Sequence, residues 1–280
     1  MLLTTLIPNF NGKHLLEKYL PFLFESLKCA DVTYEVLIVD DCSTDDSVHF
    51  ITTTYPEIQV IRNQQNLGFA KSCNIGINLA QGDKLLLLNT DIQLTPSYIK
   101  ICLEKFTTKN TFAVMGKAID ESAQPQTTGV LFKQGIFRIK KYQNVVNDET
   151  HFVSGANSIY DTQKLKELGG FNTIFSPYYF EDDDLSFRAM KNGWKSYFVP
   201  EAACYHVGSS TIKSCAKRTK IKIIYFRNKM IFNRLHSKSS ELGFDLMNLC
   251  TNILPKYCLG SFWIWKSYNE FRKARLLKYE

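Results

Sequence analysis

Two hydrophobic periodicities alternate along the first 117 residues. Leu2–Pro8 is an apolar run that reads as a strand, and Asn9-Phe10-Asn11-Gly12 after it is a turn cluster. Leu15, Leu16, Tyr19, Leu20, Leu23, Phe24 and Leu27 recur at helical spacing and predict a first helix. Tyr34–Val39 is a buried strand ending in Asp40-Asp41. Ser43 or Thr44 can cap the next helix, with Asp45 and Asp46 in its first turn. Ile58–Ile61 is a third strand with Arg62 at its end, and Gly68 opens a helix through Phe69, Cys73, Ile77 and Ala80. Leu85–Leu88 is a fourth strand, followed by Asn89-Thr90-Asp91. Thr95-Pro96 then predicts a helix running to about Phe106, with proline in its first position, and Phe112–Met115 one more strand. The alternation predicts an α/β fold with a mostly parallel central sheet flanked by helices. Ligands of such sheets bind at the carboxyl ends of the strands. Pro8, Asn9, Asp40, Arg62, Asn89 and Asp91 all fall there.

Beyond Lys117 the pattern loosens, and residues 118–150 read as an irregular excursion. Phe152–Ile159 reads as a strand, and Thr162 starts a short helix ending at Gly169-Gly170. The stretch Tyr178–Trp194 then places four acids, Glu181, Asp182, Asp183 and Asp184, at the start of an amphipathic helix that Gly193 ends. Acids in a first turn suit the helix dipole. Four adjacent carboxylates exceed what capping needs, and crowded like charges raise at least one pKa, as a general base requires. Ser196–Val199 and Ala203–Tyr205 read as short strands with His206 following, and from about Ile212 the chain reads as helical.

Composition narrows the classes. A chain of 280 residues can bury a full core. Hydrophobic content of 45% and charged content of 22% are ordinary for a soluble globular protein. No stretch reads as a transmembrane helix, and Met1 runs into a strand without a leader pattern. Eight scattered cysteines, Cys29, Cys73 and Cys102 among them, read as reduced, buried thiols of a cytoplasmic protein. Charge is uneven: 15 Lys/Arg face 4 Asp/Glu from Lys213 onward, against 19 and 23 before it. A basic tail interleaved with aromatics suits an anionic surface. No GxGxxG follows the first strand, which argues against a dinucleotide-dependent oxidoreductase. The acidic first part, without a nucleic-acid motif, argues against a nucleic-acid binder.

An acid at a strand's end, such as Asp91, suits Mg²⁺ or Mn²⁺ bridging a diphosphate. His206 could join it, since imidazole suits Mn²⁺ better than Mg²⁺. Asp40 could hydrogen-bond a base or ribose, or cap the turn that follows it. The ordered segments IPNFNG, VDDCSTDDS, NLGFAKSCNIGI, LLLLNTDIQL, VSGANS, GGFN, YYFEDDDLSFRAMKNGW and HVGSST resemble the inverting, GT-A family 2 glycosyltransferases, most of all their rhamnosyltransferase-like branch. The resemblance covers roughly residues 1–235.

It implies a GT-A domain over residues 1–212, with a nucleotide-binding half to about 117 and an acceptor and catalytic half to 212, and a helical basic extension over 213–280. Pro8, Asn9, Asp40, Arg62, Asn89 and Asp91 would face the nucleotide sugar. Asp91 and His206 would hold Mn²⁺ or Mg²⁺, with Asn89 standing where the family has a first acid. Asp182 would be the base, with Glu181 and Arg188 beside it, and Asp183 or Asp184 could share the role. Ser154, Gly155, Ala156 and Trp194 would line the acceptor site. The donor would be a dTDP-, UDP- or GDP-linked sugar and the acceptor a growing cell-surface or lipid-linked glycan. Trp263, Trp265, Phe271 and the Arg272-Lys273-Arg275-Lys278 cluster could hold the enzyme on the inner face of the cell membrane. The alternative is a nucleotide-sugar-binding protein of the same fold without transfer activity.

Overall fold

The computed structural model describes residues 1–119, 128–133, 136–141, 149–206, 218–236 and 241–276. The first half follows the predicted alternation: β1 (Leu2–Asn9), α1 (Lys13–Ala30), β2 (Thr33–Asp40), α2 (Ser47–Thr54), β3 (Gln59–Arg62), α3 (Phe69–Leu79) and β4 (Lys84–Leu88). Then come β5 (Ile92–Leu94), α4 (Tyr98–Glu104), β6 (Thr111–Ile119), β7 (Thr128–Lys133), β8 (Ile136–Lys141), β9 (Glu149–Thr150), β10 (Asn157–Asp161) and α5 (Thr162–Glu167). The chain continues with α6 (Glu181–Lys191), β11 (Lys195–His206), α7 (Arg218–His236), α8 (Glu241–Asn248), α9 (Leu254–Cys258) and α10 (Trp263–Leu276).

The main sheet runs in the order β3-β2-β1-β4-β10-β6-β11-β5, with β9 beside β11. Strands β3, β2, β1 and β4 are mutually parallel, β10 is antiparallel to both β4 and β6, and β11 is parallel to β6. Strand side chains alternate between faces, so Leu86 and Leu88 join the core under α1 and α4. Leu85 and Leu87 join the core under α3, α5 and α6. Both faces are covered, which is why these strands read as unbroken apolar runs.

Several expectations are corrected. The 118–150 region is not wholly irregular: β6 reaches Ile119, β7 and β8 form an antiparallel hairpin, and β9 pairs with β11. Residues 120–127, 134–135 and 142–148 lie outside the described residues. Of the predicted strand Phe152–Ile159 only the part from Asn157 joins the sheet, in a strand that runs on to Asp161. The two short strands after Trp194 are one, β11, broken by a register shift between Val199 and Ala203. Helix α4 begins at Tyr98 because the Thr95 hydroxyl turns away to the Ala203 carbonyl. Helix α2 is preceded by Asp46 rather than capped by Ser43 or Thr44. Cys29 is exposed, whereas Cys73 and Cys102 are buried.

A third core cluster crosses the expected boundary at residue 212. Phe175 and Phe180 pack with Met230, Ile231, Phe232, Phe244, Ile264 and Phe271, so the C-terminal helices share a core with the turn before α6.

Candidate active site

Strand register brings the predicted rim together. Asn9 pairs with Asp40, and Asp40 with Arg62, at the carboxyl ends of β1, β2 and β3. The Asp40 carboxylate is fully buried, accepting from Asn9 Nδ2 at 2.8 Å and from the Ser43 amide at 3.1 Å. Arg62 Nε lies 3.8 Å from it and Nη2 donates to the Ser43 carbonyl at 3.3 Å, while the side chain as a whole is largely exposed on the rim. Asp41 is wholly occupied by Asn63 and by the amides of Leu67 and Gly68, which fixes the loop into α3. Pro8 is half-buried beside Val39.

Asp91 and His206 reach each other because β5 and β11 pair antiparallel, with His206 opposite Ile92. Asp91 Oδ2 and His206 Nε2 are 3.3 Å apart. One carboxylate and one imidazole form a mixed oxygen–nitrogen donor set that fits Mn²⁺ or Mg²⁺ as a partial shell. Among the described residues no third His, Cys, Asp or Glu completes it. The rest of the HVGSST segment lies outside the described residues.

The acids arrive on the far side of the same rim. The Asn89 amide donates to the Ala156 carbonyl at 2.9 Å, tying the end of β4 to the Ser154-Gly155-Ala156 strip. The Ser186 hydroxyl accepts from the Val153 amide, tying that strip to α6. A Cβ on Gly155 would stand 2.7 Å from Asp182 Oδ1, so the missing side chain makes room for the carboxylate. Asp182 Oδ1, Glu181 Oε2 and Asp183 Oδ1 are each buried with no hydrogen-bond partner among the described residues. Burial raises all three carboxyls, because the charged form loses water. The Asp182 charge raises Glu181 further, while the Gly155 amide partly offsets the rise of Asp182. Asp183 is pushed up to about 7, by burial first and then by Asp182 and Asp184.

Two predicted site residues are placed elsewhere. Arg188 binds Asp184 through Nε at 2.7 Å and the carbonyls of Leu168 and Gly170 at 2.7 and 2.8 Å, so it braces α6. Trp194 stacks on Phe112 at 5.9 Å, near the amino end of β6 and opposite the rim. Arg227 and Asn228 carry no sequence signal of a site role, yet both side chains bind the turn before α6.

The fold and the rim together define a GT-A type of α/β protein. The chain belongs to glycosyl transferase family 2, whose model matches residues 4–169, and the model of glycosyl transferase family group 2 matches residues 94–273. An uncharacterized glycosyltransferase of Haemophilus influenzae is 38% identical over 32% of this chain and 29% of its own length. The poly(ribitol-phosphate) beta-N-acetylglucosaminyltransferase TarS of Staphylococcus aureus is 23% identical over 74% of this chain and 35% of its own. The matches span 29% and 56% of the lengths of the first two curated relatives. The fold is similar to that of S. aureus TarS 1–349 with UDP-GlcNAc, at a TM-score of 0.64, 17% identity and coverage of 98% and 81% of the two chains. It is also similar to mannosyltransferase PcManGT of Pyrobaculum calidifontis with GDP-Man and Mn²⁺, at a TM-score of 0.60, 14% identity and coverage of 98% and 73%.

Proposed function

We propose that this protein is an inverting glycosyltransferase that moves a sugar from a nucleoside-diphosphate donor to a hydroxyl of a growing cell-surface glycan. The carrying observation is Asp182: a carboxyl set against Gly155, with one oxygen buried and without a hydrogen-bond partner among the described residues. Burial raises its pKa toward the range of a working base. Asp182 takes the proton of the acceptor hydroxyl, whose oxygen attacks the anomeric carbon from the face opposite the diphosphate. The bond from that carbon to the diphosphate breaks, and the configuration inverts. Pro8, Asn9, Asp40, Arg62 and Asn89 line the donor side, and Ser154, Gly155 and Ala156 the acceptor side. Arg188 acts by holding α6 rather than by touching substrate. Asp91 and His206 would hold Mn²⁺ or Mg²⁺, which when bound neutralises charge on the leaving diphosphate.

The resemblance of the motifs implies dTDP-rhamnose as donor. The relatives solved with UDP-GlcNAc and GDP-Man add UDP- and GDP-hexoses as candidates. The acceptor class, an O-antigen, capsule or wall polymer, is supported by the polymer named for TarS. Asn89, in place of an acid, favours the second reading of a nucleotide-sugar binder without transfer activity. Asp182→Asn separates the two: turnover should fall ~10²–10⁴-fold with nucleotide binding kept, and unchanged turnover would overturn the assignment.

No helix among the described residues is long and apolar enough to cross a membrane. Peripheral contact remains part of the proposal, with Trp265 kept and the other expected aromatic anchors replaced. Phe271 is buried at 1% exposure and Trp263 packs on Phe226, so both belong to the core. Leu259, Phe262 and Trp265 are exposed around the α9–α10 turn, next to exposed Lys266, and form the apolar, basic face that an anionic leaflet would take. Lys278 lies outside the described residues, as does the side chain of Arg275.

A further inference from the structure

The bend that delivers the acids is held from the C-terminal part of the chain. Tyr179 and Phe180, immediately before α6, have φ of 75° and 74°. Left-handed backbone disfavours residues with a Cβ, and two in succession persist only when their surroundings impose them. Asn228 on α7 supplies that restraint. It is fully buried, and the two hydrogens of its Nδ2 are shared among three carbonyls, those of Phe175 at 2.5 Å, Tyr178 at 3.0 Å and Tyr179 at 2.9 Å. Arg227 Nε donates to Asn228 Oδ1 at 2.8 Å. An arginine can only donate, so this contact fixes which end of the amide faces the turn. The same guanidinium also donates to the Ser176 carbonyl. Tyr225, one helical turn earlier, packs its ring on Tyr179 and Phe180. At the far end of α7, His236 Nε2 sits 2.8 Å from Asp184 Oδ1. Helix α7 therefore grips the acid run on both sides of Asp182.

We propose that Asn228, oriented by Arg227, is a positioning residue for the catalytic carboxylate. It locks the 175–180 turn so that α6 starts where Asp182 meets Gly155 and the rim. The C-terminal helices are then part of the catalytic unit and not an appendage to it. This rests on the reading of Asp182 as the base.

A double-mutant cycle on the full chain tests it, with Asn228→Ala and Asp182→Asn singly and together. Turnover is read as release of nucleoside diphosphate from UDP-GlcNAc, GDP-mannose or dTDP-rhamnose. Misplacing a reacting group by about 1 Å costs ~10²-fold in rate. Asn228→Ala should therefore lower kcat by that order with the donor KM unchanged. In the Asp182→Asn background the same change should cost almost nothing further, because the group it positions is gone. An equal loss in both backgrounds, or no loss in either, would overturn the proposal. A fully active Asp182→Asn beside an impaired Asn228→Ala would instead sink the base assignment and leave the clamp standing on another acid. Should Asn228→Ala not fold, Arg227→Lys leaves Asn228 in place, removes the bond that orients its amide along with the guanidinium's bond to the Ser176 carbonyl, and runs through the same cycle. A second readout needs no substrate. Loosening the turn lets water reach the acids, so the fall of Tm between pH 5 and pH 8 should flatten in Asn228→Ala, and an unchanged slope would count against the clamp.

Discussion

Adding one methyl group at Gly155 isolates the acid's position from every other property of the site. In Gly155→Ala the new Cβ would lie 2.7 Å from Asp182 Oδ1, 3.3 Å from Phe69 Cζ and 3.4 Å from Leu87 Cδ2. The last two are tight or ordinary contacts that small shifts relieve. The first is several tenths of an ångström closer than carbon and oxygen tolerate, so the carboxylate must move. Gly155 is not among the glycines with positive φ, so alanine brings no backbone strain of its own. Overpacking of this kind costs about 1–3 kcal/mol of stability. Displacing the base by a fraction of its reach costs up to ~10²-fold in kcat. The donor-side residues Pro8, Arg62 and Asp91 sit on other strand ends, so nucleotide affinity should hold. Steady-state kinetics together with a nucleotide titration reads both quantities on one preparation. Wild-type kcat in Gly155→Ala would refute the placement of the base against this glycine.

Two further predictions follow from the same geometry. Asp183→Asn should stabilise the protein increasingly with pH: the folded carboxyl titrates near 7 against 3.8 for an unperturbed aspartate, so wild-type stability is full below about 4 and lost as pH rises through 7. The gap reaches at most ~4 kcal/mol by pH 8, and thermal melts showing a gap independent of pH would contradict it. Phe262→Ser with Leu259→Ser should abolish co-sedimentation with vesicles of anionic phospholipid while leaving Tm nearly unchanged, since both side chains are exposed; binding equal to wild type would remove the membrane contact from the account.

The first half of the fold was readable because its signals are local. Strands buried on both faces appear as solid apolar runs, and α1 and α3 carry long stripes at helical spacing. Strand β5 was missed because three residues give no period to count. The segment before Asn157 is apolar but bonds Ser186 and Asn89 through its backbone, so its polarity misled about its pairing. Trp194 follows the acids closely in sequence, yet an 11-residue helix spans about 16 Å and carries it to the other end of the sheet. The role of Asn228 was illegible for a different reason. It depends on a left-handed bend some 50 residues away, which no composition or spacing announces.

The most direct test of the central claim is a thermal-shift screen of UDP, GDP, dTDP and CMP, each with Mn²⁺, Mg²⁺ or EDTA. A ligand at 100 times its Kd adds about 2.7 kcal/mol to the native state, which raises Tm by roughly 5–10 °C for a chain of this size. The account predicts a shift with one nucleoside diphosphate that EDTA removes and that His206→Ala loses. No shift with any of them would contradict a donor site at this rim and return the acid run to the role of a capped helix.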